Sequence, residues 1–311
     1  MTIARRDLIA SALLGLFCLS GSSPAGAQTT PAPLQVVASF SILADLVRQI
    51  GGERVAVTSL VPANQDAHVF QASPAEARKL VGAALVVVNG LGFDPFMDRL
   101  IAASGRKITP IVVSRGITPL KAGAHDGHAG HDHGKPAHDP HAWQSVANVR
   151  LYVQAIAAAL SAVDPSGAAI YAAKAEAYRL RLDALETEIR AGIAAIPAER
   201  RALATTHDAF AYFAAAYGVK FLALQGISSD AEPSAADLAR IIRQVKALKT
   251  PAVFLENVID PRKAERIARE SGAKIGGTLY SDSLSLENGP APTYIDLMRH
   301  NLKQLTDALK P

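Results

Sequence analysis

One cysteine, Cys18, stands in a chain of 311 residues. It lies inside a stretch that reads as a removable leader, so the processed chain is expected to hold no disulfide and no thiolate metal site. Any bound metal must then be held by His, Asp and Glu. Charge of one sign is also lacking. Lys and Arg number 32 against 28 Asp and Glu, a net +4. The excess is scattered, and nothing in it reads as a nucleic-acid patch. No HExxH motif is present, and Gly90-Leu-Gly92 lacks the third glycine and the helix of a dinucleotide fingerprint. Beyond the leader no apolar run looks long enough to span a bilayer, so a soluble mature protein is expected.

The leader itself occupies residues 1–27. Arg5 and Arg6 form a positive start, Leu8 to Leu19 an apolar stretch, and Ala25-Gly-Ala27 a small-residue cleavage site. The expected mature start is Gln28. The paired arginines weakly resemble a twin-arginine signal, with Sec export at least as well supported. Phe17 before Cys18 is too large for a lipobox.

Histidine, by contrast, is concentrated. Six of the nine lie between His125 and His141, interleaved with Gly, Asp and Pro. These neighbours suit neither a helix nor a central strand. Neutral imidazole is a good ligand for borderline metals. The run therefore reads as a metal-attracting loop over 124–141 rather than an expression tag or an incidental solvated loop.

Elsewhere the chain alternates short apolar strands with helical patterns. Leu34 to Phe40, Val55 to Val61, Leu85 to Val88 and Ile111 to Val113 read as strands. Ser41 to Ile50 and Phe96 to Ala103 read as helices, and Ser73-Pro74-Ala-Glu76 as a helix start. Ser145 to Val163 predicts a helix. Gly167 to Ile196, rich in good helix formers, predicts a rod of about 45 Å. A second series follows, with strands at 202–204, 220–224, 252–255 and from 274. Its helices are predicted at 208–217, 234–248, 261–271 and 295–309. The fold class is α/β: two Rossmann-like (β/α) lobes joined by one long rigid helix. The expected organisation is a first lobe over 28–163, a linking helix over 164–197 and a second lobe over 198–311. Such sheets bind ligands at the carboxyl ends of their strands, which places the site in the cleft between lobes.

Four residues fall at such strand ends: His68 in Asp-Ala-His68, His141 in Asp-Pro-His141-Ala-Trp143, His207 in Thr-His207-Asp, and Asp282 in Tyr-Ser-Asp282. Two donors from each lobe would clamp one ion. Three imidazoles and a carboxylate suit tetrahedral Zn²⁺. His125, His128, His131, His133 and His138 are left as a weaker auxiliary metal loop. Glu256 reads equally as a partner of a ligating histidine or as a solvated strand end. Trp143 is expected to pack on the cleft wall and His300 to lie at the surface.

These motifs, with Thr-His207-Asp-Ala-Phe-Ala-Tyr-Phe and Gly226-Ile-Ser-Ser-Asp230-Ala-Glu-Pro233, resemble the cluster A-I (cluster 9) metal-binding solute-binding proteins of bacterial ABC transporters. The resemblance covers the whole mature chain. It implies two α/β lobes joined by a rigid helix, and a receptor in the periplasm rather than an enzyme. Histidine at the third ligand position and the His-rich loop are most similar to zinc receptors of the AztC and ZnuA type. What it implies is capture of Zn²⁺ and delivery to an ABC-transporter membrane permease by a monomer. A periplasmic zinc chaperone is a further candidate partner. A manganese receptor of the same fold is the main alternative, with a zinc hydrolase or an adhesin behind it.

Overall fold

The computed structural model describes residues 32–123, 137–227, 229 and 234–310. The expected leader, with Cys18, and the histidines His125, His128, His131 and His133 lie outside them. The first sheet takes β1 (Leu34–Phe40), β2 (Val55–Val61), β3 (Leu85–Val88) and β4 (Ile111–Val112) in the order β2-β1-β3-β4, all parallel. Its helices are α1 (Ser41–Gly51), α2 (Pro74–Val81) and α3 (Phe96–Ala103). β3 is buried along its whole length, as a central parallel strand must be. α2 starts where the sequence marks it: Ser73 and Glu76 form a reciprocal capping box with Pro74 at the first helical position.

α4 (Val146–Val163) and α5 (Ala168–Ala194) then lead to a second parallel sheet. It is built from β5 (Ala202–Thr205), β6 (Lys220–Ala223), β7 (Ala252–Glu256) and β8 (Lys274–Leu279), in the order β6-β5-β7-β8. Around it lie α6 (Ala211–Tyr217), α7 (Ala235–Ala247), α8 (Arg262–Ser271) and the final α9 (Tyr294–Leu309). The two sheets thus repeat one strand order. In each, that order reverses direction beside the first strand of the sheet, the place where parallel sheets of this kind present a binding crevice at their carboxyl ends.

α5 buries Tyr171, Tyr178, Leu182, Leu185, Ile189 and Ile193, a stripe at three-, four- and seven-residue spacing. That stripe packs against α1, α4 and α9. One apolar core consequently runs through both lobes, from Val36 and Leu43 through Ile189 to Phe213, Phe254 and Leu297. A smaller cluster of Leu222, Ile241, Val253 and Ile267 lies on the other face of the second sheet.

Three expectations need correction. α4 has 18 residues at mean hydropathy 1.5, long and apolar enough to cross a bilayer. Here it is a core helix: Val149, Tyr152, Val153, Ile156 and Leu160 are buried, and its one charge, Arg150, pairs with Asp183 at 2.8 Å. α6 begins at Ala211 rather than Asp208, because Asp208 N–H bonds Gly226 C=O and Phe210 sits at ψ 17°, outside the helical region. His300 is half-buried, its Nε2 2.9 Å from Thr278 C=O, because Tyr280 packs edge-on against the ring.

Candidate metal centre

The four strand-end residues meet. One donor atom each from His68, His141, His207 and Asp282 lies within 4.8 Å of every other. His68 follows β2, His141 ends the long connection after β4, His207 follows β5 and Asp282 follows β8. Each lobe therefore supplies two donors. His68 Nε2 is 3.2 Å from His141 Nε2 and 3.3 Å from Asp282 Oδ2. His207 Nε2 is 3.0 Å from Asp282 Oδ2, and His141 Nε2 is 3.6 Å from Asp282 Oδ1. All three imidazoles point the same nitrogen at one volume. His138 is exposed, pairs among the described residues by a backbone bridge to Lys121, and stays outside the cluster.

Carboxylates behind the rings fix them. Asp139 Oδ1 accepts from the His141 backbone N–H at 2.8 Å and lies 2.9 Å from its Nδ1. Glu256 Oε2 is 2.6 Å from His207 Nδ1, an ion-pair contact rather than a well-aligned hydrogen bond. Its Oε1 accepts from the N–H groups of Thr206 and His207 at 2.9 Å each. Glu256 is thus a buried partner of His207, not a solvated strand end. A carboxylate on Nδ1 leaves the Nε2 lone pair free for a metal.

His68 is held differently. Its backbone N–H donates to Asp66 Oδ1 at 2.8 Å, and the Ser229 hydroxyl from the second lobe donates to Asp66 Oδ2. Its ring rests edge-on against Phe93. Its side chain keeps 6% exposure, whereas the other three donor side chains have none.

The loop bearing His141 is bound from both lobes. Asn89 donates to Pro140 C=O at 3.0 Å, and Tyr152 donates to Asn89 Oδ1 at 2.7 Å. The Tyr212 hydroxyl on α6 donates to Asp139 C=O at 2.9 Å and accepts from Leu120 N–H at 3.0 Å. Trp143 and Gln144 each donate to Ser281 C=O at 2.8 Å, next to Asp282. Trp143 is fully buried against Phe40 and Phe93. These supports escape a reading of the sequence: their partners lie 50 or more residues away. The only local hint is an Asp two residues before His68 and His141.

Charge follows this arrangement. Burial opposes the charge on His141, yet Asp282 and Asp139 outweigh it and hold its pKa above the ordinary value. Burial likewise opposes the charge on His207, but Glu256 and Asp282 raise its pKa well above normal. Burial pushes Asp282 up, and the facing His141 and His207 bring it well below the usual carboxylate range. Asp282 Oδ1 is buried with no hydrogen-bond partner among the described residues. A buried, unpaired carboxylate oxygen beside converging lone pairs is costly unless a cation fills the space.

Residues 36–308 match the family described as zinc-uptake complex component A, periplasmic, or ZnuA. The chain belongs to this family. Its ZnuA-type relatives differ in the metals they are named for. Manganese-binding lipoprotein MntA of Halalkalibacterium halodurans is 34% identical over 298 residues, covering 96% of this chain and 95% of that protein. Iron ABC transporter substrate-binding lipoprotein MtsA of Streptococcus pyogenes is 29% identical over 313 residues, 98% of each. The structure of the periplasmic zinc binding protein TroA from Treponema pallidum superposes with a TM-score of 0.80 at 27% identity, covering 90% of this chain and all of that one. The pair of α/β lobes is the architecture this ZnuA-family chain shares with TroA.

Proposed function

We propose that this chain is an exported receptor that captures one divalent metal ion between its lobes and hands it to an ABC-transporter permease, with Zn²⁺ as the preferred ion. The convergence of three Nε2 atoms and one carboxylate oxygen within 4.8 Å carries the reading. A tetrahedron with arms of about 2.0–2.1 Å has edges of about 3.3 Å; the His68–His141 separation and the shortest distance from each imidazole to either Asp282 oxygen are 3.0 to 3.6 Å, and every pair of donors lies within 4.8 Å. Three imidazoles also suit zinc better than an oxygen-preferring ion. Four protein donors supply a closed shell, which favours holding an ion over activating a bound water for hydrolysis.

The names of MntA, MtsA and TroA support a metal receptor, and that of MtsA supports an ABC transporter as the acceptor. The names of MntA and MtsA also favour a second reading, manganese or iron as the ion carried, whereas that of TroA favours zinc. Elemental analysis of protein taken from its native compartment, followed by chelator competition for Zn²⁺ and Mn²⁺, separates the two. Stoichiometric zinc that excess Mn²⁺ does not displace is expected. Retained Mn²⁺ against competing Zn²⁺ would overturn the zinc assignment. His207→Ala should weaken binding by orders of magnitude, and a titration like the parent's would remove His207 from the site. The loop histidines His125 to His138 are assigned a weaker role, raising the local metal concentration.

A further inference from the structure

A cavity of about 980 Å³ opens beside the metal centre, and His68 is part of its wall. His68 is also the one donor whose side chain is not fully enclosed. The groove reaches His68 and none of the other three residues, which makes His68 the point at which an ion arriving through it would first be met. Its charged lining is Arg78 from α2 and Arg99 from α3, both exposed. Neither forms an ion pair among the described residues. No carboxylate lines the groove. Glu76, on the same helix as Arg78, is taken up by Ser73 and Lys79. Gln71 adds an amide, while Val69 and Val81, each half exposed, form an apolar lip.

That charge is of the wrong sign for a bare divalent cation. Two unpaired guanidiniums at a mouth lower the local concentration of a cation and raise that of an anion. Guanidinium is also the side chain best matched to carboxylates. We infer that the groove receives the metal as an anionic polycarboxylate chelate, with Arg78 and Arg99 holding the chelator's carboxylates while the ion is passed to His68. The exchange is balanced: carboxylate–metal bonds break as imidazole–metal bonds form, protons held on the imidazoles pass to solvent or to the freed carboxylates, the ion stays divalent, and the chelator leaves. A volume of about 980 Å³ admits a small tricarboxylate with water. The inference rests on the receptor reading above.

Zinc–citrate is the probe. Loading of metal-free full chain is followed in stopped flow by the lone Trp143, whose ring lies 5.3 Å from His141. The parent's rate should scale with the concentration of the zinc–citrate complex. In an Arg78→Ala/Arg99→Ala variant it should fall about tenfold at low salt, and the gap should close at high salt. Loading from hydrated zinc should be as fast or faster, and equilibrium affinity by chelator competition should match the parent. Equal rates for parent and variant would overturn the inference, as would equal slowing from both zinc sources. Inhibition by a polyglutamate peptide with no effect of citrate would make the groove a docking face for an acidic protein and overturn it too. If the parent binds no divalent ion at equilibrium, the receptor reading itself fails.

Discussion

At the scale of single residues, His141 and His207 are backed by carboxylates, and His68 is not. A carboxylate on Nδ1 orients the ring and makes Nε2 a better donor. Glu256→Gln should therefore lower zinc affinity by roughly 10- to 100-fold without removing a ligand. An unchanged dissociation constant would reduce Glu256 to a backbone anchor for Thr206 and His207. Asp282, Asp139 and Glu256 together set the pH response. They hold protons on His141 and His207 to higher pH than an ordinary histidine, and metal must displace those protons. Affinity should thus fall as pH drops through those raised values. On the alkaline side it should go on rising above about pH 6.5, the ordinary histidine value. Asp282 stays ionised across this range because its pKa is lowered, so the loss on acidification belongs to the imidazoles. Competition titrations across pH 5–9 measure this, and a plateau that begins below the ordinary histidine value would contradict it. The clustering of His68, His141, His207 and Asp282 was legible in the sequence because each is an unusual residue at a strand end. Tyr212, Asn89 and Ser229 were not, because their hydroxyls and amides work through contacts with distant segments.

Elements were legible where local chemistry decides them. The Ser73–Glu76 capping box and the breakers around α5 set boundaries within a residue or two. The start of α6 was not, because the bond from Asp208 to Gly226 pulls residues 208–210 out of the helix and into the loop that presents His207. β8 shows what packing adds. A Cβ at Gly276 would sit 2.5 Å from the fully buried Phe254 ring. Gly277 has φ +112°, and a Cβ there would meet Gln304 of α9. These glycines let β8 approach both neighbours while it carries Asp282 beyond its end. Gly276→Ala should cost about 1–3 kcal/mol by overpacking. Thermal unfolding checks this, and a midpoint equal to the parent's would mean that Phe254 can move aside. The stem of the His-rich loop is likewise an element, since Leu120 and Asp139 both bond Tyr212 and Ala122 bonds Ala137. Deleting 125–136 while keeping Ala137 and His138 should leave the tight site at nearly parental affinity and abolish extra weak zinc equivalents. Loss of the tight site would mean that the loop supplies a donor to it.

For the whole molecule, the two sheets do not bear separate stabilities. Residues of both lobes share one apolar core along α5. Asp45 on α1 also accepts the Tyr294 N–H at the start of α9, tying the first helix to the last. Lobes so joined should unfold together, giving one calorimetric transition for the metal-free chain with matching calorimetric and van't Hoff enthalpies. Metal then acts on that single transition, because its donors come from both lobes and converge only in the folded chain. At free zinc 100 times the dissociation constant the folded state should gain about 2.7 kcal/mol. At roughly 2–4 °C per kcal/mol this is a rise of several degrees, growing further with zinc concentration. In His207→Ala the rise should shrink in step with the lost affinity, whereas the metal-free midpoint is free to move either way as a buried imidazole is removed. Two resolved transitions, with zinc raising only one of them, would show that the lobes unfold independently and that the shared core along α5 does not couple them.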